Sequence, residues 1–450
     1  MKSYVKTAIF GCILVPLLLL VAAIVIPTYL AISLHGKLKI YWKKRLGRLP
    51  AVISKDQWLS LGYNDDMARI LEDLQEQLLN FCTYGKFRKE VFHIMGTNSI
   101  ELCPINLSGW YPSPSVFVPY DAKLQHSWAA FADSLARFAN VDTDFAIRDF
   151  HLPKTILDTL LPAIKKLNLI NLGITRTKSG NGGLRFVSDI IQESPSLDTI
   201  QFYGEEIDDD AAAVAFATAV RGNPSLKNIC LVDCKLSDSV LSLILEGCKQ
   251  TKLDTLDLTG NPIGGSSGAL VCNYIASNAT IGTLSLGSNS ITDEDVPQLV
   301  SALNRNTNLK TLDLKPNNLS KGGKMEMQRV VLNTTDLNSI AESNHFVSIE
   351  GIGMNKVNTV NKKKWDVVKK IRSKIVYSLK EGLIDLTYFD GVPIELVHHA
   401  LALVQFKEGV ATNLRGVKIA PVSAKGKEMQ KSQILTRIFH LFRDHVAANL

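Results

Sequence analysis

The feature that most constrains this 450-residue chain is a repeat of apolar residues running from residue 164 to residue 337. The pattern is L-x-x-L-x-L-x-x-N/C-x-L. Leu253, Leu256, Leu258, Asn261 and Ile263 fit it, as do Ile281, Leu284, Leu286, Asn289 and Ile291, and then Leu309, Leu312, Leu314, Asn317 and Leu319. Leu226, Ile229, Leu231, Cys234 and Leu236 fit with Cys in the Asn slot. Leu197, Ile200, Phe202, Glu205 and Ile207 keep the apolar positions and lose the slot, and so do Ile164, Leu167, Leu169, Leu172 and Ile174. With Leu337 as a seventh start, the intervals between starts are 33, 29, 27, 28, 28 and 28 residues. A fixed period with a fixed internal pattern marks a solenoid, in which each coil buries its core only against its neighbours.

Within a coil the L-x-L core predicts a short strand, whose alternate side chains point to opposite faces. The Asn or Cys at the turn can satisfy backbone groups that would otherwise be buried unpaired. Helical spacing predicts return helices over residues 210–221, 237–248, 293–305 and 321–333, with Ser237 and Asp293 as N-caps. Asp209 and Asp210 suit the positive end of their helix. Phe145, Ile147, Phe150 and Leu152 repeat the spacing upstream and read as a first, divergent coil.

A unit of this length with helices resembles the ribonuclease-inhibitor-like subfamily of leucine-rich repeats over residues 142–345. The resemblance implies an α/β solenoid: a horseshoe with a parallel concave sheet and outer helices. More loosely, the flanks resemble those of microalgal leucine-rich-repeat proteins, in Ala130-Phe131-Ala132-Asp133 before the array and Ser343-Asn344-His345 after it. Neither likeness selects a partner, because fold alone does not choose a function.

Residues 7–34 form an apolar run without a charge, longer than the roughly 20 residues a spanning helix needs. It also exceeds the ~7–15 residues of a signal-peptide core and passes Ala22-Ala23 without a polar break, so it is read as an uncleaved transmembrane helix. Lys37, Lys39, Lys43, Lys44, Arg45 and Arg48 follow, against Lys2 and Lys6 on the other side. This asymmetry predicts a single-pass membrane protein with the bulk of the chain in the cytosol, and the six cations suit anionic lipid. The expected domains are an anchor and basic segment (1–49), an N-terminal capping region (50–141), the repeat domain (142–345) and a basic helical tail (346–450). In the capping region Met67, Ile70, Leu71, Leu74, Leu78 and Phe81 mark an amphipathic helix. In the tail, Lys362-Lys363-Lys364-Trp365 opens a helix, and Val392-Pro393-Ile394-Glu395-Leu396 bears a short resemblance to the start of an F-box.

Charge is unevenly spread. Residues 1–50 carry eight cations and no acid, and residues 356–450 are net +9, which leaves residues 51–355 at −10. The sequence pI near 8.9 therefore does not describe the array, and no nucleic-acid interface is expected there. Seven cysteines without a framework fit a reducing compartment. No catalytic constellation, metal spacing or cofactor fingerprint is found, and catalysis is not expected.

Counting outward strand positions gives the surface the concave face would present. Arg148, Lys166, Asn168, Gln201, Tyr203, Asn228, Asp257, Asp313 and Lys315 are the candidate partner-binding residues, with Tyr203, Gln201, Arg148 and Lys166 foremost because Tyr and Arg dominate binding hot spots. A Thr column at 199, 255, 283 and 311 is ascribed to strand preference. The expected function is a membrane-anchored, non-catalytic scaffold for an unidentified protein partner. The alternatives are a lumenal or cell-surface receptor, an F-box-like ubiquitin-ligase adaptor and a small-GTPase regulator.

Overall fold

The structure, a computed structural model, describes residues 50–84, 98–102, 117–139, 141–249, 251–277 and 280–384. The apolar run at 7–34, the cations at 37–48 and the F-box-like segment lie outside them. Among the described residues no helix is long and apolar enough to cross a membrane. The chain falls into two units, one of residues 1–96, 104–141 and 158–167, the other of residues 97–103, 142–157 and 168–450.

Among the described residues the first unit is mainly helical. Ser54 and Gln57 form a capping box at the start of α1 (Lys55–Ser60). Helix α2 (Asp65–Tyr84) buries Leu71, Leu74, Leu78 and Phe81 on one side and packs on α3 (Gln125–Leu135). The Phe81 and Phe131 rings lie 5.0 Å apart. Gln75 is buried, but its amide is fully used: it accepts from Ile53 N–H at 2.8 Å and donates to Ala51 O at 3.1 Å and Ser127 Oγ at 3.2 Å.

The second unit is built on one parallel sheet of nine strands in sequence order. They are β1 (Asn98–Leu102), β2 (Asp142–Arg148), β3 (Asn168–Thr175), β4 (Thr199–Tyr203), β5 (Asn228–Val232), β6 (Thr255–Asp257), β7 (Thr283–Ser285), β8 (Thr311–Asp313) and β9 (Ser348–Glu350). Helix α4 (Lys154–Ile164) runs between β2 and β3. The later returns are α5 (Gly180–Glu193), α6 (Asp210–Gly222), α7 (Asp238–Cys248), α8 (Ser266–Ala276), α9 (Val296–Arg305) and α10 (Lys321–Val331). Sequential parallel strands joined by helices require that one sheet face be covered. Ile200, Phe202, Leu256, Leu284 and Leu312 on that face are fully buried. A Cβ on Gly183 of α5 would lie 3.2 Å from the Phe202 ring, and one on Gly247 of α7 only 2.7 Å from Ala217 of α6. Small residues thus set how closely helices approach the sheet and each other.

Strand pairing corrects the sequence reading at three places. Leu172 pairs with Ile200 and Ile174 with Phe202, so this coil starts at Leu169, not Ile164. The 33-residue interval then becomes 28, in line with the rest. Strand β3 also carries one extra residue opposite Thr143/Asp144 of β2. At the far end, Leu337 starts no coil; it lies in the short helix α11 (Leu337–Glu342), and the sheet runs past residue 345 to β9. At the near end, β1 adds a strand before the one read as first.

The Asn slot stitches each coil to the one before it. Asn261 donates to Leu231 O (2.8 Å) and Leu258 O (2.9 Å) and accepts from Cys234 N–H (3.1 Å). Asn289 and Asn317 repeat this on Leu258 O and Ile263 N–H, and on Leu286 O and Ile291 N–H. Cys234 takes the slot with a weaker donor, its thiol 3.3 Å from Phe202 O, and burial pushes that thiol up to about 12. The coil judged to have lost its slot has filled it with Glu205. This buried carboxylate accepts from Thr177 N–H, Thr177 Oγ1 (2.9 Å), Ser179 N–H (2.8 Å) and Gly180 N–H (3.0 Å) at the start of α5. A carboxylate at a helix N-terminus also meets the positive end of the helix dipole. Ser237 caps α7 as expected, and Asp209, at the positive end of α6, caps that helix; Asp293 instead accepts from Ser320 of the next coil, and Asp295 precedes α9.

The C-terminal edge of the sheet is closed by side chains. From α12 (Asn355–Lys362), Asn358 accepts from Ile349 N–H at 3.1 Å and donates to Ile349 O at 2.5 Å, as a further strand would. An unpaired edge invites pairing with other chains, and this amide blocks it. Helix α13 (Val367–Lys380) then seats two buried lysines on backbone carbonyls. Lys374 Nζ donates to Val331 O (2.6 Å), Asn344 O (3.1 Å) and His345 Nδ1 (2.8 Å); Lys370 Nζ donates to His345 O (3.0 Å) and Asn361 O (2.9 Å). Burial lowers Lys374 to about 7. Burial and then the Lys374 charge lower His345 to about 4.

Candidate protein-binding surface

The uncovered face of the sheet carries three columns of side chains, fixed by strand register. The first is Asp144, Asn171, Thr199, Asn228, Thr255, Thr283 and Thr311, continued in register by Ser348, which is buried. The second is Ala146, Gly173, Gln201, Cys230, Asp257, Ser285, Asp313 and Glu350, and the third begins Arg148, Thr175, Tyr203 and Val232.

The first column is largely self-satisfied. Asn171 Nδ2 donates to Asp144 Oδ1 at 2.5 Å, and Asn228 Nδ2 donates to Thr199 Oγ1 and Asp198 Oδ2, each at 3.0 Å. These amides hold neighbouring strands together, so Asn228 is a strand-linking residue before it is a binding one.

The second and third columns differ along the array. Over β6 to β8 the side chains are small or tied down: Asp257 Oδ1 accepts from Thr259 N–H (3.0 Å) and Oγ1 (2.6 Å), and Asp313 Oδ1 accepts from Lys315 N–H (2.9 Å). Over β2 to β5 a cluster forms around half-buried Tyr203. Cys230, Asp257 and Arg148 are all near enough to its hydroxyl to act on its ionisation. Burial first, then Cys230 and Asp257, push the Tyr203 hydroxyl well above its usual value, while Arg148 acts the other way. Burial raises the Cys230 thiol as well. Both groups stay protonated, so the cluster presents an O–H, an S–H, a guanidinium and a carboxylate around an aromatic ring. Between Arg148 and Tyr203 the sheet offers only Thr175, and Gly173 beside it has no side chain. Exposed Gln201 borders the bare area, its Oε1 3.8 Å from where a Gly173 Cβ would lie.

Of the candidates read from sequence, Arg148, Gln201, Tyr203, Asn228, Asp257 and Asp313 lie on the uncovered face, and Tyr203, Arg148 and Asp257 come together. Lys315 is paired with Glu350 at 2.5 Å; Lys362 binds the same carboxylate at 2.9 Å, and the two lysines hold Glu350 at about 2. The register correction removes one member: Lys166 lies in the turn before β3. Asn168 stays on this face at the start of β3, opposite Asp142 and bonded to it at 2.6 Å, one place outside the first column. The column positions on β3 belong to Asn171, Gly173 and Thr175; the discordant 33-residue interval is the signal in the sequence. Register puts Cys230 beside Gln201 on this face, and its proximity to Tyr203 has no sequence signature.

Period, slot ladder and sheet together fit an α/β solenoid of the leucine-rich-repeat kind, a class that binds through its sheet face. No protein-family model and no curated protein matches the chain. Among solved structures, an internalin from Listeria monocytogenes is similar at 12% identity, over 46% of this chain and 54% of that one, with a TM-score of 0.25. The match therefore spans about half of that chain. The fold assignment rests on the repeat and the sheet themselves.

Proposed function

We propose that the chain is a non-catalytic protein-binding scaffold, held at a membrane by residues 7–34 with Lys37, Lys39, Lys43, Lys44, Arg45 and Arg48 toward anionic lipid, its array in the cytosol. The partner docks on the uncovered face at Arg148, Gln201, Tyr203, Cys230 and Asp257. The observation that carries this reading is the half-buried Tyr203 ring, flanked by a guanidinium and a carboxylate on an otherwise small-residue sheet. Aromatic and Arg side chains at a preformed rigid surface lose little entropy on binding and supply most of an interface's energy. The anchor rests on the length of the apolar run and the charge asymmetry around it.

The test is affinity for a captured partner. Tyr203→Ala and Arg148→Ala each weaken binding by at least about 30-fold, the factor equivalent to a hot spot of ~2 kcal/mol. Thr283→Ala, four strand positions away from β3, changes it by less than about twofold. Equal effects at all three positions would refute the assignment. Protease protection of a C-terminal tag in sealed vesicles tests the topology separately: digestion supports a cytosolic array, and protection contradicts it.

A further inference from the structure

We propose that the C-terminal end of the second unit, centred on Trp365, is a docking surface for anionic lipid. This contact is distinct from the cations at 37–48 and from the partner surface. The segment joining α12 to α13 holds Lys363, Lys364 and Trp365, and Lys369 follows on α13. The Lys363 ammonium lies 4.0 Å from the Trp365 ring centroid and that of Lys369 lies 4.5 Å from it. Two cations thus converge on one aromatic ring. Among the described residues Lys363, Lys364 and Lys369 form no ion pair, whereas neighbouring Lys362 and Lys356 are paired with Glu350 and Glu381. The acid within this segment, Asp366, uses Oδ1 to accept from Lys369 N–H at 2.8 Å.

Apolar surface lies in the same place. Val367 at the start of α13 is 39% exposed and Phe346 is 42% exposed, two of the few large apolar side chains exposed among the described residues. Phe346 adjoins this group through Lys370, whose ammonium is 5.9 Å from its ring. Unpaired lysines around a half-exposed Trp, with an exposed Phe and Val beside them, combine the two attractions of a lipid interface: phosphate headgroups for the cations, and the acyl boundary for the apolar groups. Nucleic acid fits less well. Base stacking needs a free aromatic face, and the Trp365 ring is already overlain by ammonium groups. An acidic polypeptide would use the cations but give no reason for Phe346 and Val367 to stay exposed. The surface is also firmly built, because Lys370 and Lys374 lock α13 onto the carbonyls of His345, Asn361 and Val331.

The full chain, reconstituted in vesicles whose phospholipids carry brominated acyl chains, provides the test. The sequence has five tryptophans, so the Trp365 signal is read as the difference between the wild-type chain and Trp365→Phe. That difference is quenched in phosphatidylcholine vesicles containing phosphatidylserine, is not quenched in phosphatidylcholine alone, and is lost at high salt. Reversing Lys363, Lys364 and Lys369 to Glu abolishes it, at about fivefold in contact per lysine. Lys363 and Lys364 are exposed and Lys369 is partly exposed, and unchanged circular dichroism confirms that the triple variant folds. Equal quenching with and without phosphatidylserine overturns the proposal. So does protection of Trp365 by an acidic polypeptide or by RNA where vesicles give none. The anchor reading fails differently, as loss of flotation with phosphatidylcholine vesicles, and leaves this difference signal to be read by itself.

Discussion

The coils of β6 to β8 and those of β3 to β5 have the same period and the same buried apolar positions, yet they are stitched together with different chemistry. In the first group Asn261, Asn289 and Asn317 each both donate and accept across the coil boundary. In the second, Glu205 only accepts, reaching back to Thr177, Ser179 and Gly180, while Cys234 donates through a thiol. The slot therefore does not demand an amide; it demands that the backbone groups inside the turn be paired. The uncovered face changes along the same line. It carries Thr, Ser and tethered Asp over β6 to β8, and Arg148, Tyr203 and Cys230 over β2 to β5. The regular coils read mainly as structure, and the surface assigned to binding lies on the coils that depart from the repeat, joined only by Asp257 at the edge of the regular group.

The largest test of that contrast is to remove the slot residue on each side. Glu205→Ala strips several donors of their acceptor in a buried turn and should cost about 3–5 kcal/mol, the range for breaking a buried charged network. Asn289→Ala should cost about 2–3 kcal/mol, because fewer groups are orphaned. Denaturant titration with local probes in both groups of coils measures this, since repeat arrays need not unfold as one unit. A Glu205→Ala variant as stable as the wild type would mean that the carboxylate is not the stitch described.

A smaller effect should separate the C-terminal end from both groups of coils. His345 ionises near its ordinary 6.5 in the unfolded chain and near 4 when folded, buried beside Lys374. Between those values the unfolded chain binds more protons, so stability falls as pH drops from 6.5 toward 4. Lys374, lowered from 10.5 to about 7, makes stability rise with pH over that range by the same reasoning. Glu350, held at about 2 against an ordinary 4.5, adds acid sensitivity only below the latter value. The denaturant midpoint followed through Trp365 should therefore drop between pH 6.5 and pH 4.5, by the equivalent of about 1–3 kcal/mol, and His345→Asn should flatten that limb. An unchanged pH profile in His345→Asn would show that the acid response arises elsewhere.

Much of this organisation was legible in the residues. The coils at Leu253, Ile281 and Leu309 follow from spacing alone, and alternation along a strand was enough to place Arg148, Gln201, Tyr203 and Asp257 on the uncovered face. Register at β3 was not legible from one coil, because Ile164-Leu167-Leu169 and Leu169-Leu172-Ile174 both fit the template and share Leu169. Pairing with β4 selects the second frame. Strand β9 was hidden because α11 lengthens the preceding coil, so that Leu309 and its counterpart Phe346 are 37 residues apart. The role of Glu205 was hidden because the template recognises Asn and Cys in that slot, while the turn needs only acceptors.

The most direct test of the central claim places a photo-activated cross-linker at Gln201, beside Tyr203, and separately at Ser285 in the same column of the regular coils. In cells, the chain labelled at position 201 should give a discrete protein adduct that disappears with Arg148→Glu, and the chain labelled at 285 should give little of it. Equal adducts from both positions, or an adduct at 201 indifferent to Arg148, would contradict the assignment of binding to the first coils.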